Sequence, residues 1–154
     1  MSAVPHQPTG YAAVTPYINV ADASAAIAFY REIFDATERM RMADPESGTV
    51  WHAELQIGDS VVMLSDEFPD MDIVSPATLG GTAGGLNVYV ADCDATHAAA
   101  LAAGATELRP PEDQFWGDRS GQIVDPFGHR WGIATHIEDL TQEEIMRRAA
   151  EAFS

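Results

Sequence analysis

The sequence predicts an α+β fold made of two tandem βαβββ modules followed by a C-terminal helix. Val20-Ala21-Asp22 recurs seventy residues later as Val90-Ala91-Asp92, and both copies run into an alanine-rich stretch of helical character. The same offset pairs two hairpin signals, Ile57-Gly58-Asp59 and Phe127-Gly128-His129, and the apolar runs that follow them. Several matches at one offset and in one order indicate a duplicated module.

The first module begins with residues 15–20, a β-rich segment that follows a Pro- and Gly-containing stretch and is therefore predicted to be a strand. Asp22 or Ser24 is placed to cap the next helix, because short polar side chains accept hydrogen bonds from the first free backbone N–H groups. Apolar residues then recur at helical spacing: Ile27, Phe29, Tyr30, Ile33 and Phe34. Three strands complete the module, 37–42, 49–57 and 60–65, with Gly58-Asp59 as the hairpin turn between the last two.

The second module repeats this order. We predict a strand at 86–90, a helix at 94–103, and strands at 106–109, 121–125 and 130–136. The predicted organisation is a single domain over residues 12–140, composed of modules 12–67 and 85–137 that a Pro- and Gly-rich connector joins. Residues 141–154 form the C-terminal helix, where Thr141 and Glu144 have the spacing of a capping box.

The charge and residue composition excludes several classes of partner and reaction. The chain has 24 acidic and 8 basic residues, a net charge of −16, so phosphate backbones and anionic lipids repel it. We therefore expect neither a nucleic-acid partner nor a membrane partner. All basic residues are arginine, and the lack of lysine excludes Schiff-base chemistry and a Walker-type phosphate lysine. The single Cys93 excludes an internal disulfide, is expected to be a small buried residue, and fits a reducing, cytoplasmic location.

Several segments resemble a known superfamily over roughly residues 15–136. They are Thr15-Pro16-Tyr17-Ile18-Asn19-Val20, Ala28-Phe29-Tyr30, Leu64-Ser65-Asp66-Glu67, Phe115-Trp116-Gly117-Asp118-Arg119 and Asp125-Pro126-Phe127-Gly128-His129-Arg130-Trp131. With the tandem βαβββ order, they resemble the glyoxalase / bleomycin-resistance / extradiol-dioxygenase (vicinal oxygen chelate) superfamily, and the last run resembles its PhnB-like branch. The resemblance implies that the two modules form a curved mixed sheet with a concave pocket.

The same resemblance implies where a metal would lie. Metal enzymes of this superfamily hold one divalent ion with His, Glu or Gln side chains from the first and last strands of each module. Carried onto this chain, those positions are Thr15, Val62, Gly85 and Gly132. Divalent ions need nitrogen or oxygen ligands that these residues do not supply. We therefore expect no metal there and no other cofactor, which counts against a metal-dependent glyoxalase, epimerase or dioxygenase.

His52 and Glu54 are the first candidates for ligand contact or catalysis. They lie two apart on a predicted strand and so point to the same side, opposite Ala53, Leu55 and Ile57. Such a pair can orient a polar ligand, act as acid and base, or help to hold a metal at an atypical position. The alternative is a solvated sheet face.

Alternation along the other strands gives further candidates. Tyr17 and Asn19 in the first module, and Asn87 and Tyr89 in the second, are expected to face the concavity. By the same alternation, Trp51 and Trp131 face the helices and are predicted core residues, and His97 is expected to be an ordinary surface residue of its helix.

The loop before the third predicted strand of the second module contains Phe115, Trp116 and Arg119, a combination that suits a planar or anionic organic ligand. The alternative is that Trp116 covers the sheet edge while Arg119 pairs with Asp118 or Asp125. His136 is a weaker candidate, because it ends a strand, where exposure is the default.

The predicted function is metal-independent binding of a small organic molecule, an antibiotic or metabolite that the protein would sequester. The alternative is a lyase, isomerase or dioxygenase-type enzyme that uses His52 and Glu54 or an atypical metal site. A homodimer is expected, because open curved sheets leave edges that must be covered.

Overall fold

The computed structural model describes residues 4–154. The chain divides into two compact units, Met1–Gly80 and Gly81–Ser154, referred to below as unit 1 and unit 2. Each unit contains one four-stranded mixed sheet with helices, and a helix ends the chain. This confirms the predicted α+β fold class of tandem βαβββ modules. Within residues 4–154 no helix is long and apolar enough to cross a membrane.

Unit 1 has the sheet order β1-β4-β3-β2, in which β1 and β4 are parallel and the other pairs are antiparallel. Its elements are β1 (Tyr17–Val20), α1 (Ala23–Phe34), β2 (Thr37–Ala43), β3 (Val50–Ile57) and β4 (Ser60–Asp66). A short 3₁₀ helix (Pro69–Met71) and α2 (Pro76–Leu79) follow in the predicted connector. Asp22 is the N-cap of α1, accepting a hydrogen bond from the Ala25 N–H at 2.9 Å. The apolar stripe of α1 packs on one face of the sheet and leaves the opposite face for other roles.

Unit 2 repeats this topology as β5-β8-β7-β6, with β5 and β8 parallel. Its elements are β5 (Gly85–Tyr89), α3 (Cys93–Ala102), β6 (Thr106–Asp113), β7 (Asp118–Val124), β8 (Arg130–His136) and α4 (Gln142–Ala152). Strands β6 and β7 are longer than predicted. The edge strand β6 includes Pro110 and Pro111, which an edge tolerates because its outer side needs no N–H donors. The capping box is present, since the Thr141 hydroxyl accepts from the Glu144 N–H at 3.2 Å.

The seventy-residue offset of the repeat does not hold at the last strand of each module, β4 in unit 1 and β8 in unit 2. Val62 pairs with Leu55 on the face that packs against α1, and both side chains are buried. Gly132 pairs instead with Asn87 on the face opposite α3. A slip of one residue turns a side chain to the other face of a sheet. The predicted equivalence of Val62 and Gly132 is therefore wrong.

A bulge in β3 overturns the prediction that Trp51 is a core residue. Ala43 pairs with Val50 and Met42 with His52, so Trp51 is an extra residue in the strand. A bulge of this kind interrupts the alternation of faces and re-aims a side chain. Trp51 is 51% exposed, whereas Trp131, in an unbroken part of β8, is 2% exposed and confirms its predicted core position.

His97 is also not the surface residue that the sequence predicts. It is 3% exposed and lies on the side of α3 that packs on the sheet, next to Gly121 of β7. Its Nε2 atom is 2.9 Å from Oε2 of Glu107. Cys93, one turn earlier on α3, is buried as predicted, with Sγ 3.1 Å from the Ile133 carbonyl oxygen.

Candidate functional site

A cavity of about 520 Å³ opens on the face of the unit 1 sheet opposite α1. Its lining combines aromatic and apolar side chains with two small polar ones and carries no charged group: Tyr17, Asn19, Trp51, Ser65, Phe68, Met71 and Ile73. Trp51 reaches this face because of the β3 bulge, and Phe68 and Met71 come from the segment after β4. We refer to this as the unit 1 cavity.

Starting at Tyr17 of the cavity lining, four side chains form one continuous chain of hydrogen bonds. The Tyr17 hydroxyl is 2.9 Å from Nδ1 of His52, and Nε2 of His52 is 3.1 Å from Oε1 of Glu54. The Tyr11 hydroxyl donates to Oε2 of Glu54 at 2.6 Å. Tyr17 is half exposed and Glu54 is buried, so the chain runs from the cavity into the protein. His52 and Glu54 thus face the side that alternation predicts.

The tautomer of a neutral His52 ring follows from the donor and acceptor capacities of its partners. Burial acts to raise the pKa of Glu54, but hydrogen bonds from Tyr11 and His52 outweigh it, and the pKa lies below its usual value. An ionised carboxylate only accepts, so Nε2 of His52 carries the hydrogen. In the neutral ring Nδ1 is then an acceptor, and the Tyr17 hydroxyl donates to it.

Tyr11 and Arg39 belong to this site although the sequence analysis did not select them. The Arg39 guanidinium lies 4.6 Å from the Tyr11 ring centroid and donates to the Gly10 carbonyl oxygen at 3.2 Å. These contacts hold the N-terminal segment so that Tyr11 reaches Glu54. No local pattern marks them, because Tyr11 lies outside any strand or helix and Arg39 is at an irregularity in the β2–β3 pairing.

A second cavity, of about 370 Å³, lies on the face of the unit 2 sheet opposite α3. Its lining is more polar than that of the unit 1 cavity and includes Asn87, Tyr89, Arg109, Glu112, Gln114, Trp116, Asp118 and Gln122. Asn87, Tyr89 and Trp116 are therefore at a cavity, as the sequence analysis expects of ligand contacts. Arg109 and Gln122 are further lining residues that it did not single out.

Asp118 is the centre of a hydrogen-bonded cluster beside the second cavity. Its carboxylate accepts from the Tyr89 hydroxyl at 2.9 Å, the Trp116 Nε1–H at 3.1 Å and Nδ1 of His136 at 2.7 Å. Burial acts to raise the pKa of Asp118, but these three bonds outweigh it and lower the pKa. The other ring nitrogen of His136 lies 2.9 Å from Asp139, and the two carboxylates raise the pKa of His136. His136 thus supports Asp118 and does not itself line the cavity.

Arg119 and Phe115 occupy places other than the expected ligand-contact positions. Arg119 alternates with Asp118 and so points to the α3 side of β7, where it pairs with Asp94 at 2.6 Å and Asp113 at 3.0 Å. These partners also differ from the two acids that the sequence analysis considered. The Phe115 ring packs edge-on against Trp116 and contacts Phe153 at the end of α4.

The residues at the superfamily's metal positions do not fit a metal. Val62 is packed in the core of unit 1, and the Oδ1 atom of Asn87 fills the space that a Cβ at Gly132 would need. Thr15 uses its hydroxyl to donate to the Ala12 carbonyl oxygen at 3.2 Å. Among residues 4–154 no group of three His, Cys, Asp or Glu side chains is arranged to hold an ion. That the protein works without a metal stays a prediction.

The family model of the Glyoxalase/Bleomycin resistance protein/Dioxygenase superfamily matches residues 10–133. The chain belongs to this superfamily. The match spans both βαβββ units and confirms the resemblance found in the sequence.

Relatives and solved structures agree with this membership. The chain is 42% identical to an uncharacterized protein of Mycobacterium bovis over 136 residues, which cover 86% of this chain and 89% of that one. An uncharacterized Mycobacterium tuberculosis protein is equally similar, with 79% of its length covered.

The crystal structure of TioX from Micromonospora sp. ML1 matches with a TM-score of 0.61 at 25% identity, covering 84% of this chain and all of that one. The PhnB protein from Bacillus cereus shares the fold at 19% identity, with a TM-score of 0.59 over 80% of this chain and 99% of that one. At that identity the PhnB-like branch stays a prediction.

Proposed function

We propose that this superfamily member is a metal-independent protein that binds a small organic molecule, an antibiotic or a metabolite, in the unit 1 cavity. The observation that carries the proposal is the position of Trp51. A bulge places this large ring, half exposed, on the wall of an uncharged cavity beside Tyr17 and Phe68. Concave apolar sites with a few polar groups are the usual form of small-molecule sites.

The energetics of the cavity favour an aromatic or aliphatic ligand. Each Å² of apolar surface removed from water contributes about 25 cal/mol, and stacked or edge-on rings add about 0.5–1.5 kcal/mol per pair. Asn19 and Ser65, joined by a 2.8 Å hydrogen bond, supply polar groups at the cavity wall. Glu54 is buried and does not line the cavity, so the ligand contacts rings and small polar groups and no charged group.

A thermal-shift screen of a metabolite and antibiotic library against the whole chain tests the proposal. A ligand at a hundred times its dissociation constant stabilises the folded state by about 2.7 kcal/mol, which a melting curve resolves. Trp51→Ala is expected to abolish the shift produced by a hit. Trp116→Ala is the matched control, because Trp116 is also exposed but lies at the unit 2 cavity. A hit that stabilises Trp51→Ala as well as the wild type, or that needs added divalent metal, contradicts the proposal.

A lyase, isomerase or dioxygenase-type enzyme is the second candidate function. It is favoured by the 3.1 Å contact between His52 and Glu54, an acid–base pair beside a cavity. Incubating each hit with the protein and analysing the mixture by mass spectrometry and NMR distinguishes the two functions. Recovery of the unchanged ligand supports sequestration. A converted ligand, with conversion lost in His52→Gln, supports the enzyme.

Assembly and location are further parts of the proposal. We expect a cytoplasmic homodimer of the PhnB-like branch that binds no nucleic acid. The strong negative charge supports the last point, and the exposed outer edges of β2 and β6 support a partner chain. Light scattering at micromolar concentration checks the assembly, and a monomeric mass contradicts it.

A further inference from the structure

We infer that Tyr17 is a reactive group of the unit 1 cavity, a phenol whose proton His52 removes while the buried Glu54 holds the imidazole in place. The inference deepens the proposed binding role of the same cavity, because it assigns the cavity a capacity for proton transfer or nucleophilic attack. Tyr17 is the group that would touch the bound molecule, and His52 and Glu54 act through it.

The geometry provides each part that an activated nucleophile needs. The nucleophile and base are within hydrogen-bond reach at 2.9 Å, and a third group orients the base at 3.1 Å. The third group is itself fixed, since Glu54 is 5% exposed and its second oxygen accepts from Tyr11. The ring planes of Tyr17 and His52 are inclined by 39° with centroids 5.5 Å apart, and Tyr17 also lines the cavity, so the phenol contacts both the base and the cavity.

Unit 2 contains a tyrosine that lacks such a base. Tyr89 is on the corresponding strand and lines the unit 2 cavity, and it is more exposed than Tyr17, 67% against 49%. Its hydroxyl donates directly to the Asp118 carboxylate. This bond, with burial, raises the pKa of Tyr89, because ionising the phenol would place two negative charges together. Exposure alone therefore predicts that Tyr89 reacts faster, whereas the base hydrogen-bonded to Tyr17 predicts that Tyr17 reacts faster.

An activated ester measures this difference in reactivity between Tyr17 and Tyr89, and the natural ligand need not be known. With 4-nitrophenyl acetate, the Tyr17 oxygen forms a bond to the acetyl carbon and the bond from that carbon to the nitrophenyl oxygen breaks. The Tyr17 proton goes to Nδ1 of His52, and 4-nitrophenolate leaves with the electron pair. The chain suits this probe because it has no lysine and its one cysteine is buried, which removes lysine amines and exposed thiols as competing nucleophiles.

The experiment follows nitrophenolate release by absorbance and locates the acetyl group by peptide mass spectrometry on the intact, folded chain. We expect Tyr17 to be acetylated at least ~10-fold faster than Tyr89, within the range of about 10²–10⁴ that general-base catalysis provides. Tyr17→Phe removes the acetylated peptide. His52→Gln, which keeps a hydrogen-bonding side chain without a base, lowers the Tyr17 rate by on the order of 10-fold or more. His136→Gln, the matched change in unit 2, leaves it unchanged.

A pH profile separates base catalysis from a merely structural role of His52. Free phenols react as phenolates, near a pKa of about 10. The wild type is expected to acetylate Tyr17 well below that range, and His52→Gln to react only toward alkaline pH while keeping the wild-type melting temperature. Labelling of Tyr17 no faster than Tyr89, or an unchanged profile in His52→Gln, overturns the inference. The inference is also overturned if Tyr17→Phe still releases nitrophenolate because His52 itself is transiently acetylated. A failed ligand screen would remove the proposed function but leave these rates as they are.

Discussion

The Oδ1 atom of Asn87 occupies the space beside the Gly132 Cα in which any other residue would place its Cβ. The two residues are paired across parallel strands β5 and β8. Gly132 is therefore required by packing at this point of the sheet. Gly132→Ala must displace the Asn87 side chain, and we expect a loss of about 1–3 kcal/mol in the free energy of unfolding. Urea titration measures it. Gly84→Ala is the control, because nothing lies within 4 Å of its Cβ position, and an equal loss in both variants would refute the explanation.

The metal content of the purified protein tests the interpretation of the superfamily positions. Asn87 fills the space at Gly132, and Val62 faces the core, so neither position can present a ligand. We expect elemental analysis of protein prepared without chelators to find no stoichiometric divalent metal, and His52→Ala to leave the metal content unchanged. One equivalent of zinc, nickel, iron or manganese per chain, lost on changing His52 or Glu54, would instead support the enzyme with an atypical metal site.

Acid stability depends on Glu54. Its pKa is lowered in the folded protein, so its contribution to stability is present above the ordinary value of 4.5 and is lost as the pH falls through the folded value. Glu54→Gln removes this contribution. We expect the variant to be less stable than the wild type near neutral pH and the difference to shrink below about pH 4.5, measured by urea unfolding at each pH. A difference that is constant with pH would contradict the assignment.

His136 predicts a pH dependence of the opposite sign. Hydrogen bonds to Asp118 and Asp139 raise its pKa above the ordinary 6.5. Its contribution is therefore fully present below 6.5 and is lost as the pH rises through the folded value. His136→Gln is expected to flatten the decline of stability above pH 6.5. Urea unfolding of the wild type and the variant at each pH measures this, and an equal decline in both proteins would contradict the assignment.

The packing of His97 on Gly121 gives a test of the core of unit 2. A Cβ at position 121 would lie 2.8 Å from Nδ1 of His97 and 3.1 Å from the Arg109 carbonyl oxygen. Gly121→Ala should therefore destabilise by about 1–3 kcal/mol, and His97→Ala by leaving a cavity. Because the new methyl group enters space that His97 leaves, the double variant is expected to lose less than the sum of the two. Additive losses, found by urea unfolding of the four proteins, would show that the two sites do not interact.

The secondary-structure elements of the fold could be predicted because residues close together in the sequence determine them. Asp22 caps α1 whatever surrounds it, and the apolar stripe through Ile27 and Tyr30 needs only helical periodicity. The Gly58-Asp59 turn closes its hairpin locally. Because the modules are duplicated, each such local signal occurs twice, which made the βαβββ order and the superfamily recognisable.

The site followed from the sequence only where the alternation of the strands is unbroken. His52 and Glu54 point to the same side because they are two residues apart, and Tyr17 and Asn19 line the cavity for the same reason. Trp51 could not be placed, because whether a strand contains a bulge depends on how its partner is paired.

The sequence by itself determined the two modules, their element order and the candidate residues Tyr17, His52 and Glu54. The tertiary structure alone decided which of those residues meet. Tyr11 reaches Glu54 from 43 positions away, and Arg119 pairs with Asp94 across 25. Val62 and Gly132 turn to opposite faces through a register that differs by one residue. Strand register and long-range contacts are set by the packing of whole elements, and a single sequence does not encode them in any local pattern.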